Sequence, residues 1–134
     1  MLGTVCSRAL LILLVAVASA CAAASPAMAH RGDDVRVTGS CGHGATSQLR
    51  LRAKDGAIRV ELEVRGRRGG ERWRVVLVHE RRVAWRGRAR TRSGSDSFRI
   101  RRAVPDFSGA DQVTLRASGP GGNTCVASGR LTGT

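Results

Sequence analysis

Four arginines stand at alternate positions, Arg86, Arg88, Arg90 and Arg92, within the stretch Arg82 to Arg92. Trp85, Gly87, Ala89 and Thr91 fall between them. A period of two is the pattern of a β-strand with two unlike faces. One face, anchored by Trp85, enters a core. The other is a ladder of guanidinium groups, which stay charged and fit carboxylate or phosphate with two prongs. Arg72 and Arg74 repeat the pattern around Trp73. If 72–79 and 82–92 pair with both tryptophans inward, Arg72 and Arg74 stand opposite two of Arg86, Arg88 and Arg90. Like charges directly opposite one another destabilise a sheet. A face built for solubility alone mixes its signs. The chemistry expected here is therefore anion binding, to a wall polymer, an acidic lipid surface, a polysaccharide or nucleic acid. The competing reading is a solvated face in an arginine-rich composition.

Composition narrows the choice. The formal net charge is +13, and Lys54 is the only lysine. An arginine-biased composition explains arginine over lysine but not where the arginines lie. Residues 65–102 hold 14 basic against 3 acidic residues, whereas the rest of the chain after residue 29 holds 8 against 7. The excess charge is local. A specific nucleic-acid partner is not expected, because single-strand binders interleave basic residues with stacking aromatics. Here aromatics make up 3% of the chain, and both tryptophans point inward. Adhesion to DNA at low salt would be counterion release alone.

Other reactive residues offer less. There is no G-x-S-x-G or H-E-x-x-H pattern, so a non-enzymatic protein without cofactor or metal is expected. Asp106 and Asp111 flank a Ser-Gly turn and read as caps of a crossover rather than calcium ligands. Arg31-Gly32-Asp33 matches an adhesion tripeptide by chance. A copper-binding sandwich is one alternative: His30, exposed as a new N-terminus, would join His43 or His79. His43 sits in a Gly-His-Gly loop, and His79 ends an inward stripe as a core-edge residue.

The first 29 residues set the compartment. Arg8, the apolar run Leu10 to Val17 and Ala27-Met28-Ala29 form a secretory signal ending at Ala29. One domain, residues 30–134, follows as a secreted protein. The alternative is a lipid anchor at Cys21, although Ala18-Ser19-Ala20-Cys21 is a poor lipobox. No second hydrophobic run follows, so no transmembrane segment is expected. After the signal only Cys41 and Cys125 remain. In an oxidising compartment they are most simply one disulfide, worth roughly 4 to 5 kcal/mol by chain entropy.

The positioning elements are strands. Val35, Val37 and Cys41 alternate with polar residues, as do Leu49, Leu51 and Ala53. Asp55-Gly56 is a turn, and Ile58 to Val64 is the clearest strand, with arginine and glutamate mixed on its outer face. Trp73, Val75, Leu77 and His79 share one face of the next strand. Glu80-Arg81 marks a tight turn made of poor turn formers. Phe98 and Ile100 open a strand whose alternation Arg102 breaks, marking a bulge there. Pro105 to Asp111 is a longer connection, and two further strands around Val113–Ala117 and Cys125–Leu131 flank a glycine-rich loop. About eight short strands with regular turn signals predict an all-β sandwich.

This order of strands resembles an immunoglobulin-like β-sandwich. The resemblance puts Trp73 on strand C, the arginine ladder on strand C′, and 105–111 at the E–F crossover. It implies that Cys41 and Cys125 tie the first strand region to the start of strand G, rather than B to F. The chain is also similar to small secreted proteins of actinobacteria with no assigned activity. An early cysteine, Arg72-Trp73-Arg74-Val75, Arg86-Gly87, Ser97-Phe98, Asp111 and Thr124-Cys125 carry that likeness. It implies a fold, not a function. The partner classes in view are an anionic envelope polymer and, alternatively, an acidic protein.

Overall fold

The computed structural model describes residues 34–132. The segment 1–29, expected to be a secretory signal, lies outside the described residues, as do Cys21, His30 and Arg31-Gly32-Asp33. Alternating apolar residues produce eight strands: β1 (Asp34–Cys41), β2 (Thr46–Lys54), β3 (Ala57–Arg65), β4 (Arg72–His79), β5 (Arg82–Arg90), β6 (Ser97–Pro105), β7 (Ala110–Ser118) and β8 (Thr124–Thr132). A short 3₁₀ turn, Pro120–Gly122, sits between β7 and β8. No helix among the described residues is long and apolar enough to cross a membrane.

All strands pair antiparallel in one continuous sheet, in the order β5-β4-β7-β8-β1-β2-β3-β6. β1 is the join. Asp34 to Gly39 pair with β2, while Ser40 and Cys41 pair with Val126 and Cys125 of β8. Gly39 permits the transfer, since a Cβ there would collide with the Ser47 side chain and with β8. The disulfide Cys41–Cys125 closes the same point, between directly opposed residues with Cα atoms 4.1 Å apart.

The inward residues of both halves form one core. Leu49, Leu51, Ile58, Leu62 and Val64 meet Trp73, Val75, Leu77, Val113 and Leu115, all buried. Trp73 packs on Phe98 with ring centroids 5.9 Å apart. Trp73 is thus fully enclosed. Trp85 is half-buried and packs against the cluster's edge.

Arg102 forms no bulge, which corrects the sequence expectation. β6 runs in unbroken register with β3, and Arg102 stands opposite Val60 on the inward face. Its guanidinium lies 4.2 Å from the Trp85 ring centroid. The apolar alternation fails there because a cation covers an indole, a contact worth about 0.5–2 kcal/mol. β5 and β6 are the two end strands of the sheet, and this stack bridges them. The real irregularity is on β5, where the register shifts between Leu77 and Val78 so that Trp85 and Val83 take successive partners and Ala84 is the extra residue.

Two hairpins have two-residue turns with positive φ throughout. In β2–β3 these are Asp55 (φ 55) and Gly56 (φ 73), residues suited to the left-handed region. In β4–β5 they are Glu80 (φ 47) and Arg81 (φ 63), which are not. Arg81→Gly is expected to raise the unfolding free energy by about 0.5–1 kcal/mol, read from the urea midpoint. An unchanged or lower midpoint would show that the turn carries no strain.

Candidate anion-binding face

The outer face of β5, β4, β7 and β8 is fixed by register. Arg72 is paired with Arg90, Arg74 with Arg88, and Val76 with Arg86. Val76 also lies opposite Arg116 of β7, and Gln112 opposite Arg130 of β8. Arg72, Arg74, Arg86, Arg88, Arg90, Arg116 and Arg130 are all exposed on this side, and none of its strand positions is acidic. Among the described residues, none of these arginines joins an ion pair. Its neutral part is Gln112, Thr114 and Ser128, which hydrogen-bond one another.

The outer face of the other half is built differently. Asp34 takes a forked contact from Arg50, at 3.0 and 2.6 Å, with Arg36 and Arg52 close by. Arg99 pairs with Glu63, and Arg101 reaches Glu61 at 3.0 Å. The Arg50 hydrogen bond, aided by the charges of Arg50, Arg36 and Arg52, holds the Asp34 carboxyl below its ordinary value. One chain therefore carries an arginine face partly compensated by three acids and another whose strand positions hold none.

The loops around the bare face are pinned by two residues that alternation alone does not single out. Glu71 accepts hydrogen bonds from the backbone amides of Arg67 and Arg68 and, at 3.2 Å, from Trp73 Nε1. Buried Thr91 donates to the Arg68 carbonyl at 2.7 Å and accepts from the Glu71 amide at 2.9 Å. The acid at Glu71 is thereby turned toward the loop and the indole rather than toward the ladder. Beside the arginines stands the Gly119–Pro120 loop. Between them runs an open groove of about 750 Å³, lined by Arg72, Arg74, Arg88, Arg90 and Pro120 over the edge of Trp73.

Arg92 does not join the others. β5 ends at Arg90, and the Arg92 backbone closes the turn to β6 through bonds with Ser97 and Asp96. Its side chain lines a separate hollow with Glu63, Ser97 and Arg99. Arg116 and Arg130, absent from the expected set, enter the face because β7 and β8 pair beside β4. Their outward parity was the available signal.

A second cluster lies at the far end of β4. His79 donates through Nε2 to Asp111 Oδ1 at 2.6 Å, and both side chains are buried. Asp111 Oδ2 accepts from the Phe107 amide at 3.2 Å, and the Phe107 ring stacks on His79 at 4.8 Å. Asp111 thus caps the connection as expected, and also holds the histidine. His79, Glu80 and Asp111 present donor atoms within 4.8 Å of one another. Those atoms are already engaged: Glu80 accepts from the Gln112 amide, and the other two hold each other. His43 borders Pro120 and Asn123, at the end of β7 opposite the His79–Val113 pairing. His43 and His79 are therefore too far apart to share one ion.

No family model matches the chain, and no curated protein or solved structure matches it.

Proposed function

We propose that this chain is an exported, non-enzymatic sandwich of immunoglobulin-like connectivity that binds an anionic polymer of the cell envelope through Arg72, Arg74, Arg86, Arg88 and Arg90. The observation that carries the reading is the register of like charges, Arg72 on Arg90 and Arg74 on Arg88, with no acid on that face. Such pairs oppose folding; the arginine pairs of the other face, Arg36 on Arg50 and Arg52 on Arg59, share their surface with Asp34, Glu61 and Glu63, acids that the ladder face lacks. An anionic partner relieves the repulsion. The groove beside Pro120 favours a chain-like ligand, because a bilayer surface cannot enter it. The disulfide is compatible with export. Support for the sandwich comes from strand order: β2-β3-β6 and β8-β7-β4-β5 follow A-B-E and G-F-C-C′, with β1 added between the halves.

The test is binding to immobilised heparin or purified wall polymer at several salt concentrations. Arg74→Ser/Arg88→Ser is expected to weaken binding on the order of tenfold and to flatten the salt dependence. Arg99→Ser/Arg101→Ser removes the same charge from the compensated face and is expected to change little. Equal losses in both variants would reduce the interaction to net charge and sink the assignment.

An acidic protein partner is the second reading. Val76 and Val78, half-buried, and Val83, 47% exposed, extend the arginine face with an apolar strip toward the hairpin end. Such a strip favours a contact that survives moderate salt. A salt-resistant, saturable complex with one acidic protein that Val83→Ser abolishes would support it.

A further inference from the structure

The ladder groove does not end at Pro120. On the other side of the same residue lies a second groove, of about 440 Å³, lined by His43, Arg67, Arg68, Glu71 and Asn123. Arg67 and Arg68 are exposed, and neither side chain is in an ion pair among the described residues. The Glu71 carboxylate is engaged by their backbone amides and by Trp73, so it does not neutralise the two guanidinium groups. The wall of this second groove also contains an anomaly. Asn123 is 2% exposed, and its Oδ1 is a buried acceptor with no hydrogen-bond partner. A buried acceptor left without a donor is destabilising, and Asn123 lines the groove beside Gly121.

Resting on the anion-binding reading above, we propose that the ligand is a linear polyanion that also carries hydroxyl groups, such as an acidic polysaccharide or a polyol phosphate. It lies along Arg86, Arg88 and Arg90, passes Pro120, and ends in the groove of His43, Arg67, Arg68 and Asn123. The anionic groups meet the arginines in both grooves. A hydroxyl group supplies the donor that Asn123 Oδ1 lacks. A single small anion would fill one groove and gain nothing from the other. A chain long enough to occupy both gains from the second contact by effective concentration.

The experiment measures the affinity of the mature protein for heparin-derived tetrasaccharide and dodecasaccharide, for an oligomeric glycerol phosphate, and for inorganic polyphosphate of matched charge, which has no hydroxyl groups along its chain. The dodecasaccharide is expected to bind at least about tenfold tighter than the tetrasaccharide. Arg67→Ser/Arg68→Ser is expected to erase that gain in affinity with length. Asn123→Ala, checked for folding by its urea midpoint, is expected to weaken the hydroxyl-bearing chains and not polyphosphate. Tighter binding of glycerol phosphate than of the dodecasaccharide selects the polyol phosphate, and the reverse selects the polysaccharide. A length gain that survives Arg67→Ser/Arg68→Ser overturns the two-groove path while the ladder reading stands. Equal affinity for polyphosphate and the hydroxyl-bearing chains, unaffected by Asn123→Ala, overturns the hydroxyl contact. Binding of every probe that is indifferent to Arg74→Ser/Arg88→Ser overturns the ladder itself, and the path with it.

Discussion

Replacing Cys41 and Cys125 together by alanine is expected to lower the unfolding free energy by about 4 kcal/mol. The bridge spans a sequence separation of 84 residues, for which the chain-entropy model gives about 4.5 kcal/mol. Its place in the fold makes the loss severe. The two halves of the sheet join where β1 meets β8, and only Ser40↔Val126 and Cys41↔Cys125 are paired there. With the bridge gone, that short ladder and the packing of Gly39 against β8 must hold the join. Domains of this size have a total stability of about 5–15 kcal/mol, so the variant is left near its folding threshold. Urea denaturation of the oxidised protein and of the double variant measures the difference. Binding to the arginine face should survive wherever the variant is folded, because β4 and β5 pair independently of β1. A change below about 1 kcal/mol would show that the halves are held by their core alone.

The strands were legible because their residues alternate without ambiguity. Ile58, Leu62 and Val64 face inward against Glu61, Glu63 and Arg65, and a one-residue slip would turn them all to solvent. The ladder pairing followed from the same parity, once Trp73 and Trp85 were set on one side. Where the reading failed, a residue served something distant in sequence. Arg102 breaks the alternation of β6 because its partner is Trp85, on a strand to which β6 is not paired. The bulge appears at Ala84, in the apolar run Val83-Ala84-Trp85 that precedes the regular alternation of arginines. Arg92 continues the written alternation but not the face, because Thr91 is held by the Arg68 carbonyl and the chain turns toward β6. Glu71 was invisible as a positioning residue, since its partners are two backbone amides and an indole nitrogen. The second groove was hidden for a similar reason. It brings together His43, Arg67 and Asn123, which the sequence scatters over three loops.

Asp111→Ala is the other substitution with a large expected cost, about 3 kcal/mol. It leaves two buried or half-covered donors, His79 Nε2 and the Phe107 amide, without the carboxylate that holds them. Removing one member of a buried polar pair costs about 3–5 kcal/mol when the survivor stays charged and about 1–3 kcal/mol when it is neutral. The effect extends beyond the pair. Phe107 is 52% exposed and keeps its place by stacking on His79 and by the Asp111 bond. With the carboxylate gone, the connection from β6 to β7 loses one tether and keeps the bond from the Asp106 amide to the Gly56 carbonyl. Asp111→Asn retains an acceptor and is expected to cost about half as much. Replacing both partners, His79→Leu with Asp111→Leu, is expected to recover part of the loss, because the buried imidazole is then no longer left unpaired while the Phe107 amide still lacks its acceptor. A double-mutant cycle over His79→Ala and Asp111→Ala should give a coupling of about 1–3 kcal/mol. Additive losses would mean that the 2.6 Å contact contributes nothing of its own to holding this end of the sheet together.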